Sequence, residues 1–140
     1  MRKFASLFCL CLTCLLLSAC GDMTAAKSVA TTKIEKFHQQ YNAENYKAIY
    51  EAASDDFKKV SSEESFCELM SAVGRKLGQV VSTEEGGWNV RTFNFSTSVT
   101  IQQTTKFEQG DAVETFVYSV KDEVAILVGY NINSRELIVK

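Results

Sequence analysis

The stretch "DAVETFVYSV", Asp111–Val120, decides the fold. Read with a period of two, it gathers Ala112, Glu114, Phe116, Tyr118 and Val120 on its more apolar face. That alternation is the pattern of a strand with one face on a core and the other toward water. Downstream, "EVAILVGYNI" places Val124, Ile126, Val128, Tyr130 and Ile132 together. Upstream, "SVTIQQTTKF" sets Val99, Ile101 and Phe107 against Ser98, Thr100, Gln102 and Lys106. Earlier still, "WNVRTFNFS" divides Arg91, Phe93 and Phe95 from Trp88, Val90 and Thr92, with Gly86-Gly87 reading as a turn before that strand. Gln109-Gly110-Asp111 and Lys121-Asp122-Glu123 are the expected hairpin turns. A bulge anywhere in these strands shifts the register by one and exchanges the faces.

Before Gln79 the period is helical. Ala30, Ile34, Phe37, His38 and Tyr41 form one stripe, and Asn42 and Asn45 bracket a break. Tyr46, Ile49, Tyr50 and Ala53 form a second stripe, extended by Phe57 and Val60. Ser61 with Glu64 reads as a capping box opening a third helix, whose stripe is Phe66, Leu69, Met70, Val73 and Leu77. Gly78 is placed to stop it. Helices first and an antiparallel meander afterwards predict a single α+β domain over residues 30–140, with the N-terminal helices packed on one face of the sheet.

The N-terminus has a different character. Met1-Arg2-Lys3 is basic, Phe4 to Leu17 carries no charge, and small Ser18 and Ala19 follow. That layout is a secretory signal peptide, and its apolar run falls short of the ~18–20 residues of a membrane span. "LSAC", Leu17–Cys20, resembles the lipobox of bacterial lipoproteins. The resemblance implies cleavage of residues 1–19, a diacylglyceryl thioether on Cys20 and acylation (palmitate) of the new amino terminus. Residues 20–29 then form a short tether, and the partner implied is the membrane itself, reached through a lipid anchor. Gly21, rather than aspartate, follows the cysteine. This resembles lipoproteins bound for the outer membrane and facing the periplasm.

Charge and cysteine usage narrow the function. With Arg2 and Lys3 removed, 13 basic residues face 17 acidic ones, with no basic stripe, which argues against nucleic acid. Of five cysteines, Cys9, Cys11 and Cys14 leave with the signal peptide and Cys20 is taken by lipid. Cys67 remains alone and reads as a buried small hydrophobe, so no intrachain disulfide is expected. No metal site is expected, because His38 and Cys67 are the only soft ligands and stand far apart. No phosphate-cradling loop or catalytic elbow is present, and no cofactor is expected.

The helix-then-meander order, with "YNAENYKAIYEAASDDFKKVSSEESFCELMSAVGRKLG" and "TTKFEQGDAVETFVYSV", resembles the nuclear transport factor two-like (cystatin-like) superfamily over roughly residues 30–135. The resemblance implies a curved, cone-shaped sheet wrapped around helices, often with a cleft inside. It implies no particular activity, since that fold hosts enzymes, binding modules and assembly domains alike. Candidate cleft residues are Glu114, Arg91, Tyr118, Tyr130 and Trp88. Glu114 sits on an apolar face, where an isolated carboxylate is costly, and Arg91 poses the same puzzle beside Phe93 and Phe95; the two are expected to approach each other across the sheet or at the mouth of a cleft, as a structural ion pair at a sheet edge or as a ligand-binding pair. Glu114, Tyr118 and Tyr130 are the residues an enzyme of this fold would use as acid and tyrosine, although no residue is assigned a catalytic role. His38 reads as a satisfied core or rim histidine. The first expectation is a non-catalytic binding or assembly-accessory lipoprotein with an envelope protein partner. The alternatives are a small enzyme or small-molecule binder using the cone, and an inhibitor or immunity lipoprotein. A deep cleft converging on Glu114, Tyr118 and Tyr130 would favour the second.

Overall fold

Apolar residues one helical turn apart build the first layer. The computed structural model describes residues 19–139, with side chains from 23 onward. Helix α1, Ala19–Asn42, buries Ala26, Ala30, Ile34, Phe37 and Tyr41 along one stripe. The signal-peptide reading of residues 1–18 lies outside the described residues, as does the side chain of Cys20. The stretch expected as a short tether belongs to α1: Ala26 continues the stripe one turn before Ala30 and already packs in the core. Among the described residues, no helix is long and apolar enough to cross a membrane.

The second stripe divides into two short helices, α2 (Tyr46–Glu51) and α3 (Asp55–Val60). Ser54 causes the division. Its hydroxyl accepts from the Phe57 amide at 3.1 Å, capping α3, while its own amide donates to the Leu127 carbonyl at 2.9 Å. Ile49, Ala53 and Phe57 are buried as the stripe requires, but Val60 points to solvent. Helix α4, Glu63–Leu77, buries Phe66, Met70, Val73 and Leu77 and leaves Leu69 at the surface. Its cap is Ser62 rather than Ser61, with the Ser62 hydroxyl accepting from the Ser65 amide at 3.1 Å. Gly78 ends α4 at φ 77°, where a Cβ would collide with the Glu108 carboxylate.

Four strands follow: β1 (Val80–Phe93), β2 (Ser96–Phe107), β3 (Gly110–Lys121) and β4 (Val124–Asn133). They pair antiparallel in the order β1-β2-β3-β4, an open meander whose inner face carries the helices; a short α5 (Arg135–Ile138) closes the chain. The architecture is α+β. Strand β3 has the predicted alternation, burying Ala112, Glu114, Phe116, Tyr118 and Val120.

Three local differences have physical causes. Gly86-Gly87 lies inside β1 at a register shift opposite β2, not in a turn before it. The β1–β2 turn is Asn94-Phe95, so Phe95 is a turn residue rather than a strand residue. In β4, Leu127 pairs with Tyr118 and Gly129 with Val117, which leaves Val128 as an extra residue. That bulge exchanges the faces: Ala125 and Leu127 are buried, Val124 and Ile126 are exposed, and the expected face resumes only at Tyr130 and Ile132.

Candidate functional site

Glu114 faces inward from the middle of β3 and is 1 % exposed. A carboxylate there must have all its lone pairs served, and three elements supply the donors. His38 on α1 donates Nε2–H to Oε2 at 2.8 Å, Thr105 on β2 donates to the same oxygen at 2.5 Å, and Tyr130 on β4 donates to Oε1 at 2.7 Å. Gln103, paired with Glu114 across the sheet, donates Nε2–H to the Thr105 hydroxyl at 3.2 Å. Since an ionised carboxylate only accepts, the His38 proton facing it resides on Nε2. Among the described residues, no buried side-chain nitrogen or oxygen lacks a partner.

Aromatic rings wall the cluster. The Phe37 ring meets Phe116 edge-on at 5.1 Å and Tyr130 at 4.9 Å between centroids. His38 meets Phe116 edge-on at 5.7 Å, and Tyr118 stacks on Phe116 at 6.5 Å. Such geometries suit the ring quadrupoles, and Glu114 behind them is buried.

Burial by itself pushes the Glu114 carboxyl upward. The His38 hydrogen bond and charge, with the Thr105 and Tyr130 donors, outweigh it and hold the group below its ordinary value. Burial, then the neighbouring Glu114 charge, pushes the Tyr130 phenol well above its usual range, so it stays a neutral donor. Tyr118 moves the same way for the same two reasons.

The expected candidates separate in space. Glu114 and Tyr130 come together as partners. Tyr118 lies on the same buried face, where it lines a cavity of about 80 Å³ between α1, α2 and the β3–β4 pair, with Phe37, Ile49, Leu127, Lys33 and Lys36. Glu114 and Tyr130 line none of the described cavities.

Arg91 does not meet Glu114. It pairs with Ser98, which pairs with Ser119, so it belongs to the opposite face of the sheet and lies roughly 17 Å further along the strand direction. It is exposed, and the Glu114 partner expected from the sequence is replaced by the His38 imidazole. Trp88 shares the inner face with Ile101 but stands near the open β1 edge, 46 % exposed. There the Lys27 ammonium lies 5.2 Å from its ring centroid and 2.8 Å from the Glu85 carboxylate.

Sequence reasoning missed His38, Thr105 and Gln103 as members of the cluster. The available signal was parity: Gln103 and Thr105 are polar, yet they alternate in step with Val99, Ile101 and Phe107. Cys67 is half-buried on α4 rather than in the core, and burial, then the Glu63 charge, pushes its thiol upward. Among the described residues no group of three potential metal ligands converges. Set against known proteins, the chain matches no family model and no curated protein.

Proposed function

We propose that this chain is a lipid-anchored lipoprotein of the bacterial envelope, attached through Cys20 and facing the periplasm from the outer membrane, and that it works as a non-catalytic binding or assembly-accessory domain. The observation that carries the binding half is the sealed interior. A site inside the cone would need Glu114, Tyr118 and Tyr130 to reach a ligand. Glu114 is instead saturated by His38, Thr105 and Tyr130, and aromatic rings close over it. The cavity beside Tyr118, about 80 Å³, is lined by neither Glu114 nor Tyr130. Large exposed apolar side chains lie elsewhere, at Trp88 on the open β1 edge and at Phe93 and Phe95 by the β1–β2 turn. The lipobox resemblance carries the anchoring half. Metabolic labelling with palmitate tests it: the native chain takes up label and fractionates with the envelope, and Cys20→Ala loses both. Unlabelled native protein in the soluble fraction would remove the anchor from the reading.

A further inference from the structure

The end of the domain that carries Cys20 also carries its most exposed aromatic side chains. Helix α1 and strand β1 run side by side in opposite senses. At one end Asn42 accepts from the Val80 amide at 2.8 Å; further along, Lys27 reaches Glu85 and Trp88. The N-terminal end of α1 therefore points toward the β1–β2 turn. The β3–β4 turn is level with it, because Thr97 pairs with Val120 as well as with Thr92.

At that turn, Phe93 is 77 % exposed and Phe95 fully exposed. Asn94 and Phe95 both take positive φ, 48° and 62°. This is a two-residue turn in which the second position ordinarily takes glycine. A phenylalanine there is sterically disfavoured. It contributes nothing to the core, so neither packing nor turn geometry accounts for it. An apolar aromatic held in a strained conformation at the tip of an arm points to a contact made outside the domain.

Distances from the Lys27–Trp88 contact identify the occupant. Seven helical residues back to Cys20 span roughly 10 Å. Six strand residues from Trp88 to the turn span roughly 20 Å. The tip therefore projects on the order of 10 Å past the lipid-bearing residue, about the depth of the headgroup layer and acyl boundary. Phenylalanine is among the apolar side chains that seat surface-bound segments at that depth. We propose that Phe93 and Phe95 form a second membrane contact, seated in the headgroup region of the same bilayer that holds Cys20. The inference rests on the lipid-anchor reading of Cys20. With two points of attachment the domain has a fixed orientation: the α5 end and the β2–β3 turn face away from the membrane. Arg91 and Lys121 are balanced near this end by Asp122 and Glu123, so the contact is apolar and insensitive to salt.

The test uses the lipidated full chain in vesicles of phosphatidylethanolamine and phosphatidylglycerol with acyl chains brominated near the headgroup. Trp88, the only tryptophan, lies up the arm and serves as the internal control. In W88F/F95W the tip emission is quenched at low and high salt, whereas Trp88 in the native chain is not. Adding F93S to that pair lowers the quenching while the chain still floats with the vesicles. Chains that float with an unquenched Trp at position 95 overturn the tip contact alone. Emission shifted to the blue without vesicles, in a concentration-dependent way, overturns it in favour of a second protein copy. Failure of the native chain to float overturns the anchor and the tip together.

Discussion

Replacing His38 by leucine should expose what holds the interior together. The substitution keeps an apolar body against Phe37 and Phe116 but removes the Nε2 donor 2.8 Å from Glu114 Oε2. Thr105 and Tyr130 still donate, yet the carboxylate is left buried without its cationic or N–H partner. Breaking a buried pair from one side costs about 3–5 kcal/mol. Against a total stability of about 5–15 kcal/mol, that is a large fraction. The informative step is the second substitution. In H38L/E114Q the amide oxygen accepts from Tyr130, the amide nitrogen faces Thr105, and no buried charge remains. The double variant should recover about 2 kcal/mol or more of what H38L loses, a coupling well beyond the additivity of independent sites. Urea unfolding of the four proteins at neutral pH measures it, with unchanged m-values showing that the folded state is intact. If the E114Q cost simply adds to that of H38L, the hydrogen bonds around Glu114 are not what stabilises the interior.

Three further outcomes follow from particular residues. Glu114 is held below its ordinary value in the folded state, so its stabilisation is complete above the unfolded carboxylate range and is lost as pH falls through the lowered folded value; E114Q should remove that acid-side component from the pH–stability curve. Ser62→Ala should cost about 1 kcal/mol in chemical denaturation, the usual worth of an N-cap, and Ser61→Ala much less; equal costs would contradict the cap geometry. Phe95→Gly should stabilise the domain by about 1 kcal/mol by relieving a left-handed conformation, with a raised melting temperature as the readout; a loss of stability would show that the side chain packs within the domain.

The fold was legible because period-two alternation in β2 and β3 and helical stripes in α1 and α4 are each the direct imprint of a buried face. Legibility failed at discontinuities. The extra residue at Val128 exchanged the β4 face without changing composition, and Ser54 divided a stripe that runs apolar through both α2 and α3. The site was half legible. Glu114 stood out as a charge on an apolar face, but its partner is 76 residues away on another layer. Local pattern offered Arg91, whose strand neighbours are equally apolar, and only strand pairing shows that it lies on the opposite face. His38 carried its signal in plain view, inside the stripe that packs on the sheet. What the pattern lacked was the rotation of α1 about its axis, which decides whether that imidazole meets Glu114 or the rim.

The most direct test of a sealed, structural interior is the His38 Nε2 proton observed by NMR in water at neutral pH. A group donating to Glu114 beneath Phe37, Phe116 and Tyr130 is shielded from exchange. The predicted result is a distinct, persistent one-proton signal with cross-peaks to the Phe116 ring, lost in E114Q. A signal averaged away by rapid exchange with solvent would contradict it and reopen the interior as a binding cleft.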